Sequence, residues 1–210
     1  MFDSFVCPAE RSATVTVCGD AARKAKAKMR EDRSVSRRRV RAQPEHKALL
    51  DDAIVHATFA CMDRFGAVGH NVAAYAPLPS EPGPADYPAR LANHARAVWL
   101  PISLPAGRLA WAQFDGAGSP GALGITEPGG ARFTSGVLGS CALILAPALA
   151  VDRTGMRLGK GAGYYDRALR GREVPVAAVV YDEDVVGDVP HGAHDVAVDA
   201  VITPAGFFCC

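Results

Sequence analysis

This 210-residue chain has no hydrophobic run long enough to cross a bilayer. Its most apolar window, Val137 to Val151, is interrupted by Gly139, Ser140 and Pro147 and falls short of the ~20 residues a transmembrane helix needs. The start has no basic residues followed by an apolar block, so it does not resemble a secretory signal, and a cytoplasmic location is expected. Cysteine pairing is also missing. The six cysteines, Cys7, Cys18, Cys61, Cys141, Cys209 and Cys210, include no C-x-x-C, which argues for reduced thiols and against a zinc site. Cys61 and Cys141 lie in apolar segments and are expected in the core. No G-x-S-x-G elbow is present, nor a G-x-x-x-x-G-K-[ST] loop, nor the third glycine that would complete a dinucleotide fingerprint, and each absence removes a common enzyme class. Net charge is small too, at a formal +1. Locally it is not: ten cations lie between Arg23 and Arg41, opposed only by Glu31 and Asp32.

The stretch RLGKGAGYYDR, from Arg157 to Arg167, concentrates the chemistry. Gly159, Gly161 and Gly163 let a main chain approach a ligand closely, and a helix starting after Gly163 would turn its N-terminus toward an anion. Phosphate is the obvious anion, with Arg157 offering a bidentate fork and Lys160 a point charge. Asp166 beside such a site makes sense if a cation such as Mg²⁺ lies between carboxylate and phosphate. The plainer alternative is a tight turn with a surface ion pair. The group H-G-A-H-D, His191 to Asp195, is read as turn chemistry and not as a metal site.

Helices are expected over Ala21 to Val40, with Ser34 and Ser36 as candidate interruptions, and over Glu45 to Arg64, where Leu50, Ile54, Ala57, Cys61 and Phe65 recur at helical spacing. Short apolar runs at Asn71–Pro77, Ala97–Pro101, Leu109–Phe114, Ala142–Pro147, Val174–Asp182 and Val198–Pro204 read as strands, with helical patterns at Tyr87–Ala95 and Tyr164–Arg170 between them. This predicts an α/β fold in three layers, with a mostly parallel central sheet flanked by helices. Residues 21–210 are expected to form one domain, and 1–20 a disordered or spurious extension. Ligands in such folds gather at the carboxyl ends of strands. Both the glycine loop and YAPLPSEP, Tyr75 to Pro82, follow strands; the prolines should hold the latter extended and present Glu81, although a solvated surface glutamate is the default.

PALAVDRTGMRLGKGAGYYDRAL, then VPVAAVVYD, then HDVAVDAVITP resembles the 5-formyltetrahydrofolate cyclo-ligase family. KAKMR at Lys26–Arg30, YAPLPSEP and GITEP at Gly124–Pro128 agree with that family's upstream features. The resemblance implies ATP-dependent closure of 5-formyltetrahydrofolate to 5,10-methenyltetrahydrofolate. It further implies that Lys26, Arg30, Arg157, Leu158, Gly159, Lys160, Gly161, Ala162, Gly163, Tyr164 and Tyr165 bind ATP, and that Arg157, Lys160 and Tyr164 serve catalysis. Ala76 and Glu81, with Lys160 to Tyr164, would contact the reduced folate, and Asp166 and Asp199 would hold Mg²⁺. Ile102 stands where the family often has Arg, and Asp184 where it usually has Gln. A monomer acting on a small molecule is expected, away from membranes and nucleic acid. The rival readings are a non-catalytic nucleic-acid-binding relative that uses the basic N-terminal helix, and a different ATP-dependent ligase or sugar-phosphate enzyme on a similar scaffold.

Overall fold

The computed structural model describes residues 19–116, 118–120, 126–192 and 194–210. The expectation for the N-terminal extension therefore falls almost wholly outside the described residues. Helix α1, Gly19–Arg41, runs without a break through Ser34 and Ser36. The expected interruption does not occur: the Ser36 hydroxyl turns outward to donate to Glu183 instead of competing for the helix backbone. Helix α2, Pro44–Arg64, begins with proline in its first turn, carries Glu45 there and Arg64 in its last, and so suits both its missing amide partners and its dipole. Its buried side, with Ile54, Val55, Ala57, Cys61 and Met62, packs on the sheet.

The strands, in chain order, are β1 (Asn71–Ala73), β2 (Ala97–Leu104), β3 (Arg108–Gln113), β4 (Gly118–Pro120), β5 (Thr126–Pro128), β6 (Phe133–Thr134), β7 (Leu143–Pro147), β8 (Ala150–Asp152), β9 (Arg157–Leu158), β10 (Val176–Val179), β11 (Val185–Val186), β12 (Ala200–Thr203) and β13 (Gly206–Cys209). Two short helices, α3 (Tyr87–Ala92) and α4 (Tyr164–Leu169), lie between them. The main sheet has the order β13-β12-β10-β7-β1-β2-β3-β6. Its centre, β12-β10-β7-β1-β2, is parallel, while β13, β3 and β6 run antiparallel at the edges.

Both faces of the centre are covered, which is why its strands are apolar at every position rather than at alternate ones. Along β7, Leu143 and Leu145 face the α2 side with Val72, Ala177 and Ile202, whereas Ile144 and Ala146 face Trp111, Ala168 and Leu169 on the α4 side. Burial pushes the Cys61 thiol up to about 12 and the Cys141 thiol to about 11, as fits core cysteines. No helix among the described residues is long and apolar enough to cross a membrane.

The segment between β7 and the glycine loop contains the β8–β9 hairpin. Asp152 organises it: Oδ1 accepts from the Thr154 amide and hydroxyl and from the Met156 amide, and Oδ2 from the Val189 amide at 2.9 Å. Gly206–Cys209 forms β13, paired antiparallel with β12.

Candidate active site

The carboxyl ends of β1, β2 and β7 open into a cavity of about 300 Å³. Of the residues expected in a site, Ala76, Glu81, Lys160, Ala162, Gly163, Tyr164, Tyr165 and Asp166 line it. One wall is the proline-rich loop, which is curled and not extended. The Glu81 amide donates to Leu78 O at 2.8 Å, the Glu81 Oε2 accepts from the Leu78 amide at 2.8 Å, and the Tyr75 hydroxyl donates to Pro82 O at 2.6 Å. These bonds bury Glu81, which is not the solvated glutamate that its residue type alone predicts. The opposite wall is the glycine loop. Lys160 Nζ reaches across to Glu81 Oε1 at 2.6 Å, so one ion pair joins the two walls.

The glycine loop is shaped by cations as much as by glycine. Gly161 and Gly163 have φ of +102° and +67°, which side-chain-bearing residues rarely adopt. A Cβ on Gly161 would lie 3.3 Å from the Arg30 guanidinium carbon, and one on Gly163 2.8 Å from Arg167 Nη1. Arg30 Nε donates to Gly159 O at 3.0 Å, and Arg167 Nη1 to Ala162 O at 2.7 Å. Behind the loop, buried Arg157 donates from Nη2 to Asp166 Oδ1 at 3.1 Å. Two buried polar atoms here, Arg157 Nε and the Tyr165 hydroxyl, have no hydrogen-bond partner among the described residues. Burial, helped by Glu81 and opposed by Arg157, holds the Tyr165 phenol well above its ordinary range, so it is a neutral donor. Unpartnered donors beside a cationic glycine loop fit a ligand that brings acceptors.

Lys26, Arg30, Arg33 and Arg37 occupy steps of four, three and four residues and form one stripe on α1. Lys26 Nζ pairs with Asp195 Oδ2 at 2.6 Å, and Arg33 Nη1 donates to Glu183 O at 2.6 Å. Arg37 is buried among the cavity-lining residues, with Nη2 2.9 Å from Asp184 Oδ2. Burial raises the Asp184 carboxyl from its ordinary value, and the Arg37 guanidinium opposes that rise. Sequence reasoning singled out Lys26 and Arg30 but missed Arg37. The spacing of the stripe was the signal that would have found it.

Not every expected residue joins the cavity. The Leu158 side chain packs instead with Leu149, Ala150 and Val189. Asp199 lies just before β12, its Oδ2 accepting from the Val176 amide at 2.8 Å. Asp166 Oδ1 accepts from Arg157 Nη2 at 3.1 Å, so each of the two carboxylates expected to hold a metal ion already accepts one protein hydrogen bond. No cluster of three or more His, Cys, Asp or Glu suited to a metal occurs among the described residues. In the His191–Asp195 group, Asp195 Oδ2 accepts from the Gly192 amide at 2.7 Å. Part of the Gly124–Pro128 turn falls outside the described residues; Thr126–Pro128 forms β5, and Pro128 lines the cavity.

Residues 22–204 match the family model described as the 5-formyltetrahydrofolate cyclo-ligase family. A 5-formyltetrahydrofolate cyclo-ligase of Mycolicibacterium smegmatis is 38% identical over 151 residues, covering 65% of this chain and 74% of that protein. The corresponding enzyme of Mus musculus is 37% identical over 70 residues, covering 30% of this chain and 34% of that one. In fold, the chain is similar to the NMR structure of Aquifex aeolicus 5,10-methenyltetrahydrofolate synthetase, with a TM-score of 0.66 at 22% identity, covering 90% of this chain and 92% of that one. It is also similar to a 5,10-methenyltetrahydrofolate synthetase of Mycoplasma pneumoniae, with a TM-score of 0.59 at 20% identity, covering 81% of this chain and 98% of that one. The chain belongs to the 5-formyltetrahydrofolate cyclo-ligase family.

Proposed function

We propose that the cavity between the proline-rich and glycine loops binds the reduced folate, with the ATP phosphates held along the glycine loop and by Lys26 and Arg30 of α1. The chain is a ligase that converts 5-formyltetrahydrofolate to 5,10-methenyltetrahydrofolate, as its family membership entails. The observation that carries the assignment to this cavity is the Lys160–Glu81 ion pair at 2.6 Å, which ties the wall suited to phosphate to the wall suited to a pterin.

The chemistry assigns work to each wall. A formamide carbonyl is a poor electrophile, and its oxygen is a poor leaving group. When the formyl oxygen takes the γ-phosphoryl group, ADP leaves and the carbon becomes iminium-like. Attack by N10 then closes the ring, N10 sheds its proton, and phosphate departs with the former formyl oxygen. Glu81, buried and acceptor-only, suits the N–H donors of a pterin edge, while Tyr164 flanks the ring. Arg157, Lys160 and the amides of Gly159 to Gly163 place positive charge where the phosphoryl group moves, and positioning with charge stabilisation is most of what such a transfer asks of a protein. Lys26 and Arg30 hold the remaining phosphates, and Tyr165 offers its unpartnered hydroxyl to the nucleotide. Mg²⁺, when bound, would neutralise phosphate charge beside Asp166, the phosphates and water supplying its other oxygen ligands. Asp199, whose Oδ2 accepts from the Val176 amide, would have its other carboxylate oxygen to offer the ion.

The direct test is ultraviolet absorbance of 5,10-methenyltetrahydrofolate as purified protein meets 5-formyltetrahydrofolate and MgATP. Product should appear only with ATP, and Lys160→Ala should lower kcat/KM by about a hundredfold or more. Folded wild-type protein that makes no product, or a Lys160→Ala variant as active as wild type, overturns the reading.

A further inference from the structure

Arg37 is the strongest charge in the cavity wall that the mechanism above leaves unused. It stands three turns along α1 from Lys26, so the helix that holds phosphates at one end reaches the folate cavity at the other. Only 3% of it is exposed. Nε and Nη2 donate to Asp184 Oδ2 at 3.2 and 2.9 Å, and Nη2 also to Ala148 O at 2.5 Å. Nη1 makes no hydrogen bond among the described residues, although the side chain lines the cavity.

The immobilisation is thorough. The guanidinium carbon lies 5.9 Å from the centre of the Tyr181 ring, and the Tyr181 hydroxyl donates to Glu81 O at 3.3 Å. Arg37 and Glu81 are therefore buttressed by one aromatic side chain. Together they offer the cavity a fixed cationic donor and a fixed carboxylate acceptor. A reduced pterin carries the complementary pattern on one edge, with amino and ring N–H donors next to a carbonyl oxygen. A stack of packing and hydrogen bonds around an arginine is what holds a donor at a set position without conformational loss on binding.

We propose that Arg37 is a specificity-determining residue, donating from Nη1 to the carbonyl oxygen of the bound pterin while Glu81 takes the adjacent N–H groups. The proposal rests on the reading that folate occupies this cavity. It makes Arg37 a folate residue and not a phosphate residue, although it shares a helix face with Lys26 and Arg30.

The test uses the double variant Arg37→Met with Asp184→Asn, which removes donor and buried partner together and leaves no unpaired buried charge. Its circular dichroism should match wild type. The KM for 5-formyltetrahydrofolate should rise about ten- to a hundredfold, the range expected for one lost hydrogen bond from a charged donor, with the KM for ATP within about twofold. Affinity for 5-formyltetrahydrofolate without nucleotide, measured by calorimetry, should weaken by the same factor. A folded double variant with unchanged folate KM, or with both KM values raised alike, overturns the proposal. If the double variant does not fold, the single variant Arg37→Lys decides by the same split, since it keeps the charge but lacks the fork that reaches Asp184 and the cavity together. Failure of this proposal is distinct from failure of the cavity assignment, because the latter would also leave Lys160→Ala active.

Discussion

Helix α1 carries two sets of cations that composition cannot tell apart. Lys26, Arg30, Arg33 and Arg37 bond to Asp195, Gly159, Glu183 and Asp184, while Lys24, Lys28, Arg38 and Arg39 are exposed on the other side. The inner set is held to the body of the protein through partners 111 to 169 residues away in sequence. Its charges are partly or wholly desolvated, so each acts at a fixed place and loses little to salt. An outer charge stays hydrated and contributes to the general field only. The rival reading, a basic helix that binds nucleic acid, treats all ten cations alike, whereas the docking of α1 makes position decisive.

The sharpest way to break that contrast is Arg37→Ala, which leaves Asp184 buried without its main partner. Destabilisation of about 3–5 kcal/mol is expected from the uncompensated charge, against a few tenths for an outer residue. The deficit should depend on pH in a set direction. Without Arg37 the Asp184 carboxyl, already raised by burial, rises further, so the folded variant binds a proton that the unfolded chain does not hold. Stability is then retained below the ordinary carboxylate value of 3.8 and lost as pH climbs through the raised folded value. Urea unfolding of wild type and variant across the acid range checks this: the gap between them should narrow on acidification, and a gap that is constant or widens contradicts the assignment.

Next in size is the Lys26–Arg30 end of the stripe, proposed above to hold the nucleotide. Lys26→Ala with Arg30→Ala should lower kcat/KM for ATP by about a hundredfold, two charge-assisted contacts each contributing roughly tenfold. The folate KM should change far less. Since Arg30 also fills the space beside Gly161, a Gly161→Ala variant should lower ATP use in the same sense, through displacement of the guanidinium and strain at φ +102°. Equal losses for ATP and folate would mean that the stripe acts only by holding α1 in place.

Much of this was legible before any coordinates. Parallel strands announced themselves as short, evenly apolar runs, and the glycine loop as a chemical constellation, because both are local in sequence. What escaped were long-range partners. Asp152 gives no local sign that it accepts the Val189 amide, nor Asp184 that it binds an arginine 147 residues earlier. The edge strands escaped for a related reason: β6 has only two residues and β13 only four, so their pairing comes from neighbours and not from propensity. Glu81 was legible as a residue presented by the proline-rich loop, but not as a buried one. Its burial depends on a curled loop whose bonds to Leu78 and Pro82 no proline count predicts.

The smallest expected effect is the most discriminating. Arg38→Ala with Arg39→Ala removes two cations from the segment that a nucleic-acid binder would use, and both side chains are exposed at the C-terminal end of α1. If position governs, kcat, both KM values and the unfolding midpoint should stay within about twofold or half a kcal/mol of wild type, as for surface changes that touch no partner. The helix dipole accounts for a small residual loss, because cations in a last turn are favoured by a few tenths of a kcal/mol. If polyanion binding governs, these two charges should count as much as any inner pair, and affinity for RNA or duplex DNA should fall steeply with salt by counterion release. Measuring turnover and nucleic-acid affinity on the same two double variants, at low and physiological salt, separates the cases. A matched loss from Arg38/Arg39 and Lys26/Arg30 replacement would erase the difference between the two faces. A loss confined to Lys26 and Arg30 would trace it to the geometry of one helix stripe.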